Sequence, residues 1–148
     1  MINIRIACRN SDGGVSIVMP TPEFCKENPD DILGRLLESL PEGAIFEKLK
    51  AEDIPEDRYF RDAWRLGGGI KIDRPHAEKI HMHNLRKVRD DKLKAEDVEY
   101  QRALEYRDDA KMNAVANKKK KLRDMPTDTD FSGMTLDELK TFVPDVLK

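Results

Sequence analysis

Two cysteines, one tryptophan, three tyrosines and five phenylalanines are few for a chain of 148 residues. Each shortage removes a class of explanation. Cys8 and Cys25 cannot build a disulfide scaffold, and no metal-type spacing joins them. Cys8 alternates with apolar residues, which reads as a buried thiol. With aromatics at 6%, the core must be small and mostly aliphatic. No apolar run approaches the roughly 18 residues of a membrane span. Nothing after Met1-Ile2-Asn3-Ile4-Arg5 is long enough for a signal-peptide core. The expectation is a soluble protein made in a reducing cytoplasm. A dominant charge is missing too: 27 basic residues face 29 acidic ones, for a net charge of −2. The molecule as a whole is therefore no polycation in search of nucleic acid.

What is present is charge itself, at 38% of the chain against about 25% in ordinary globular proteins. Its distribution is uneven. Residues 74–124 hold 15 Lys/Arg and 10 Asp/Glu, and the rest hold 12 and 19. A basic segment thus lies between acidic parts, an asymmetry that can orient a protein against a partner or its own copies. The length allows one domain, or a small domain with a helical extension.

Ile2, Ile4, Ile6 and Cys8 alternate with small or polar residues, the period of a half-buried strand. Asn10-Ser11-Asp12-Gly13-Gly14 supplies turn chemistry, and Val15–Met19 resumes an apolar run, predicting a β-hairpin. Thr21-Pro22 can open a short helical turn. Asn28-Pro29-Asp30-Asp31 predicts a helix start with Asn28 as N-cap. Ile32, Leu33, Leu36, Leu37 and Leu40 then form one stripe over about three turns. Residues 44–49 can form a strand, and 52–57 a polar turn. Residues 58–64 read as a short helix or turn whose Phe60 and Trp64, four apart, share a face. Gly67-Gly68-Gly69 is a flexible turn before a last short strand, Ile70-Lys71-Ile72.

From Asp73 the texture changes. Residues 74–124 contain no glycine and, after Pro75, no proline, and their composition favours helix. Ile80, Leu85, Val88, Ala95 and Val98 form a thin, irregular apolar edge, continued less regularly by Leu104, Met112, Val115 and Leu122. No strict heptad persists, so a long zipper is not supported. Breaks are expected near Asp97 and near Asp108-Asp109, giving a helical hairpin or an extended arm. Met125-Pro126 should stop the helix. Residues 127–133 form a loop, and Thr135-Leu136-Asp137-Glu138 is a capping box for a short helix carrying Leu136, Leu139 and Phe142.

The chemistry-bearing residues do not assemble into a site on paper. On a helix His76 and His83 lie about 10 Å apart, and His81 and His83 point roughly 160° away from each other. Asp128, Asp130, Ser132 and Gly133 imitate the opening of a calcium loop, but the twelfth position is Leu139, where a bidentate acid is needed. Gly67-Gly68-Gly69 lacks the lysine and hydroxyl of a phosphate loop and precedes a strand. No serine stands in a nucleophile elbow, and neither cysteine has a catalytic context. Lys118, Lys119, Lys120 and Lys121 could touch phosphates, but no interleaved aromatics accompany them, and on a helix they spread around the axis. The expectation is a protein with no cofactor, no metal and no enzymatic activity.

Two stretches are not generic. One is Ile54–Trp64. The other runs from Ile72-Asp73-Arg74-Pro75-His76 through Val98–Glu105 to Leu122-Arg123-Asp124-Met125-Pro126. Together, over residues 54–131, they resemble small phage and prophage tail-region proteins of alphaproteobacterial phages. The Leu-Arg-Asp-Met-Pro end is similar to that of tail-fibre-assembly-like and tail-associated proteins. Members of that set often carry proline near the position of Glu99, which this chain lacks. The resemblance implies a virion subunit for tail, neck, fibre attachment or capsid decoration, located in the virion or in the host cytoplasm during assembly. As the alternative it implies an assembly chaperone that leaves the particle, which a docking domain with a reaching arm suits slightly less well. Its partners would be other phage structural proteins and further copies of itself, with nucleic acid as a lesser alternative.

The expected architecture is α+β: an N-terminal β-hairpin and helix domain over 1–72, a segmented charged helical arm or hairpin over 73–126, and a loop with a short helix over 127–148. Candidate contact residues are Phe60, Trp64, Ile80, Leu85, Val88 and the run Lys118–Lys121. Phe60 and Trp64 are expected to anchor the first domain to the start of the long helix.

Overall fold

Alternating side chains make a strand where the first residues predict one. The computed structural model describes residues 3–148, so Ile2 of the expected strand lies outside the described residues. Strand β1 (Ile4–Arg9) pairs antiparallel with β2 (Val15–Val18) and β3 (Phe46–Lys50), in the order β2-β1-β3. Ala7 stands opposite Ile17 on one side and Glu47 on the other. In the β1–β2 turn the Asn10 N–H donates to the Gly14 carbonyl at 2.8 Å, and the Gly14 N–H donates to the Asp12 carboxylate at 2.8 Å. Gly13 takes φ = 85°, a conformation a Cβ would strain. The chain divides into two compact units, Met1–Arg74 and Pro75–Lys148, two residues beyond the expected boundary.

The first unit uses both faces of its sheet. Ile6 and Ala7 are each fully buried. The core gathers on the Ala7 face: Ala7, Val15, Trp64 and Leu66 pack together, with Ile17, Leu49, Ile54, Ile70 and Ile72 against them. Alanine at the centre of that face leaves the depth that an indole fills at interior packing density. Cys8 is only partly buried, and that burial pushes its thiol pKa up.

Trp64 arrives on a separate ribbon. One 3-10 turn (Arg61–Ala63) leads into β4 (Trp64–Leu66), which pairs antiparallel with β5 (Ile70–Ile72) across the glycine turn. Phe60 and Trp64 are both buried, but the expected shared helical face is absent because Trp64 belongs to a strand. The Arg61 guanidinium donates to the Val15 carbonyl at 2.7 Å, and the Gly69 N–H donates to Glu47 Oε1 at 3.1 Å. These bonds fasten the ribbon to the sheet.

The two short helices follow local capping. Helix α1 (Pro22–Glu27) begins as Thr21-Pro22 predicts, with Thr21 Oγ1 accepting from the Phe24 N–H at 3.1 Å. Helix α2 (Ile32–Glu38) is shorter than its apolar stripe suggests. Its N-cap is Asp31, whose carboxylate accepts from the Gly34 N–H at 2.9 Å. Asn28 instead closes α1, donating from its side chain (2.9 Å) and its backbone (3.1 Å) to the Phe24 carbonyl.

The second unit is built on helices α3 (Arg74–Glu105) and α4 (Asp109–Asp128), which pack together as an antiparallel hairpin. The expected break near Asp97 does not occur. Asp97 Oδ1 meets Lys119 Nζ at 2.5 Å, so this carboxylate does not compete for backbone amides, and no glycine or proline interrupts the helix. The break near Asp108 does occur. The Asp108 N–H reaches the Ala103 carbonyl (2.9 Å) and the Arg107 N–H the Leu104 carbonyl (3.1 Å), a Schellman closure. Arg107 takes the left-handed position at φ = 55°, where glycine is usual. Asp108 then caps α4, accepting from the Lys111 N–H at 3.0 Å. Arg107→Gly is expected to stabilise the hairpin by about 1 kcal/mol, read as a rise in urea midpoint.

Proline does not stop α4 where expected. Pro126 sits inside its last turn, where only one ladder bond is lost. The Thr129 N–H (3.0 Å) and hydroxyl (2.6 Å) both donate to the Met125 carbonyl and finish the helix. Helix α5 (Leu136–Thr141) starts at Thr135, whose hydroxyl accepts from the Glu138 N–H at 3.1 Å. The 127–148 stretch belongs to the second unit. His81 of α3 bonds the Phe142 carbonyl at 2.8 Å and meets the Phe131 ring edge-on at 5.6 Å. A carbonyl only accepts, so His81 Nε2 carries the proton. Phe131, Leu139 and Leu147 are buried alongside Leu85, Leu122 and Met125 in this unit.

Candidate functional site

The inward side of α3 explains why its apolar edge looked thin. Buried or half-buried positions run Ala77, His81, Leu85, Arg89, Lys92, Glu96, Glu99 and Ala103, the three-and-four spacing of one helical face. Polar residues occupy the middle of that face. Opposite them, α4 buries Val115, Leu122 and Met125. The base of the hairpin is therefore apolar, and the distal part is joined mostly by charge. Lys118 Nζ meets Glu96 Oε1 at 2.6 Å, Lys119 meets Asp97, and Lys111 Nζ meets Glu99 Oε2 at 3.3 Å.

This arrangement divides the lysine run. Lys118 and Lys119 turn toward acids of α3, and Lys119 also lies 5.5 Å from the Tyr100 ring centre. Lys120 and Lys121 are exposed. The Lys119 side chain is 16% exposed and Asp97 60%, so the bond is partly screened. A double-mutant cycle on Asp97 and Lys119 is expected to give a coupling of about 0.3–1 kcal/mol, shrinking as salt is raised.

Glu99 is half-buried at the edge of the inward face, its side chain 37% exposed. The hydrogen bond from Lys111 and the charge of Arg102, 2.8 Å away, hold its carboxyl below the usual carboxylate range. Its contribution to stability is present above the unfolded pKa of about 4.3. It is lost as pH falls through the lower folded value. Titration of the Glu99 carboxyl by NMR is expected to show its midpoint rising toward the ordinary range in Lys111→Met.

Of the candidate contact residues, Phe60 and Trp64 lie in the interior, Leu85 is buried, Ile80 is half-buried and Val88 is exposed. Other large apolar side chains exposed in the second unit are Val98, Leu104, Val143 and Tyr106, the last at 84%. Val88, Ala95 and Val98 fall at steps of seven and three, on the flank of α3 beside the inward face.

The first unit carries a surface that no sequence motif announced. The β4–β5 ribbon covers the Ala7 and Val15 end of the sheet. The other end opens as a groove of about 520 Å³ whose walls include Arg5, Ile17, Met19, Ile54, Arg58 and Arg61. Arg61 stands 4.4 Å and Arg58 5.9 Å from the centre of the Trp64 ring system. Cation–π attraction at such distances contributes about 0.5–2 kcal/mol. The Trp64 Nε1–H is buried, and among the described residues nothing accepts from it.

Among the described residues no group of three His, Cys, Asp or Glu side chains is placed to hold a metal ion. His81 is occupied in packing, and Asp130 accepts from the Ser132 N–H at 2.9 Å in a local turn. No helix among the described residues is long and apolar enough to cross a membrane. Comparison of the chain with protein-family models, curated proteins and solved structures returns no match.

Proposed function

We propose that this chain is a non-enzymatic phage structural or tail-associated protein that acts through protein–protein contacts. The observation that carries the reading is the exposed apolar edge of the hairpin. Val88 and Val98 stand in solvent on one flank of the charged helix α3, with Leu104 and Tyr106 exposed separately at its C-terminal end, and contact with a partner would bury the flank. The tail-region resemblance supplies the setting. Its Leu-Arg-Asp-Met-Pro end has a structural rationale: Leu122 and Met125 point into the hairpin base, Arg123 and Asp124 face solvent, and Pro126 lies in the last helical turn.

Two of the four lysines in the basic run are already engaged by acids of α3, which favours protein over nucleic acid as the partner. Mass spectrometry of purified particles and of assembly intermediates tests the proposal. A virion subunit is expected in mature particles at a defined copy number. A chaperone would appear only in intermediates, and absence from both would reject the reading.

A further inference from the structure

We infer that the arginine-walled groove of the first unit binds an extended segment of a partner polypeptide through a carboxylate side chain and an adjacent apolar one. The inference rests on the reading of the chain as a contact protein and names the chemistry of one contact.

Three arginines, Arg5, Arg58 and Arg61, line the groove, and among the described residues Glu56 is the only carboxylate in its lining. Among the described residues neither Arg58 nor Arg61 forms an ion pair with an acid. Their neighbour is instead the Trp64 ring, and Arg61 is further fixed by its bond to the Val15 carbonyl. Guanidinium forks suit carboxylates, and a group already held in place loses less freedom on binding. The lining is also apolar in part: Ile17, Ile54 and Met19 belong to it, and Met19 is 55% exposed. A volume of about 520 Å³ falls within the range of roughly 300–1,000 Å³ typical of ligand sites. The groove is shallow and open, which suits a segment laid along it better than an enclosed small molecule. Guanidinium groups beside apolar side chains in one lining select a carboxylate next to a hydrophobic side chain.

Trp64, the only tryptophan, reports on the groove directly. The test uses the full chain and an acetylated, amidated hexapeptide alternating Asp and Leu, followed by Trp64 emission and by calorimetry. The matching Lys-Leu peptide and a short oligothymidylate are run beside it. Saturable binding of the Asp-Leu peptide alone is expected. Arg58→Glu, an exposed position, is expected to weaken it by about tenfold or more. Lys48→Glu makes the same charge change on the opposite face of the sheet and is expected to leave binding intact. Circular dichroism confirms that both variants fold. Three results would overturn the inference: no saturable binding, equal binding of the Lys-Leu peptide, or wild-type affinity in Arg58→Glu. Tighter binding of the oligothymidylate would assign the groove to phosphates and overturn it as well. None of these outcomes bears on whether the chain is found in particles, so the two readings fail separately.

Discussion

Trp64→Ala is expected to destabilise the first unit by about 3–5 kcal/mol, the largest effect of any substitution considered. The indole is fully buried at the centre of a cluster with Ala7, Val15 and Leu66. Removing it leaves a cavity over Ala7, a side chain too small to fill it. It also strips Arg61 and Arg58 of the ring they stand over. Trp64→Phe keeps much of the apolar volume and removes an N–H that no described residue accepts from. Its expected cost is lower, about 1–2 kcal/mol. Urea unfolding followed by far-ultraviolet ellipticity compares the two. Equal losses would show that the cluster does not depend on ring volume. An unchanged midpoint in Trp64→Ala would remove this residue from the core.

Leu122→Ala is expected to destabilise the hairpin by about 2–5 kcal/mol, while Val98→Ala should stay within about 0.5 kcal/mol. Leu122 is fully buried at the apolar base, and Val98 is half exposed on the flank of α3. The pair separates the surface that folds the unit from the surface assigned to contact. Thermal unfolding read at 222 nm measures both. Similar losses would mean that the flank of α3 is packed within the molecule and unavailable to a partner.

β1 was legible because alternation is a strong local signal, and β2, β3 and β5 fall where short apolar segments bounded by turn residues predict strands. The buried face was only half legible. Ala7 contributes little hydrophobicity, so the Ile4 and Ile6 face drew attention while Trp64 packs on the other. The long helices were legible from composition and from the lack of glycine and proline. Their seam was not, because Arg89, Lys92, Glu96 and Glu99 occupy inward positions that an apolar pattern cannot mark. The lysine partners of Glu96 and Glu99 become visible only when α4 returns along α3. The turn near Asp108 was legible from its capping acids, but Arg107 in a left-handed conformation had no local signature. The groove was invisible for a different reason. Arg5 is more than fifty residues from Arg58 and Arg61, and only the fold of the first unit sets them around one opening.

The central claim is that the exposed edge of the hairpin touches another protein of the particle. Photo-crosslinking from position 98 during assembly tests it most directly, with the same reactive residue at Asn117, an exposed site on α4, as the comparison. A discrete crosslinked product containing a particle protein from position 98, and background alone from position 117, is the expected result. Background alone from both positions would contradict the account.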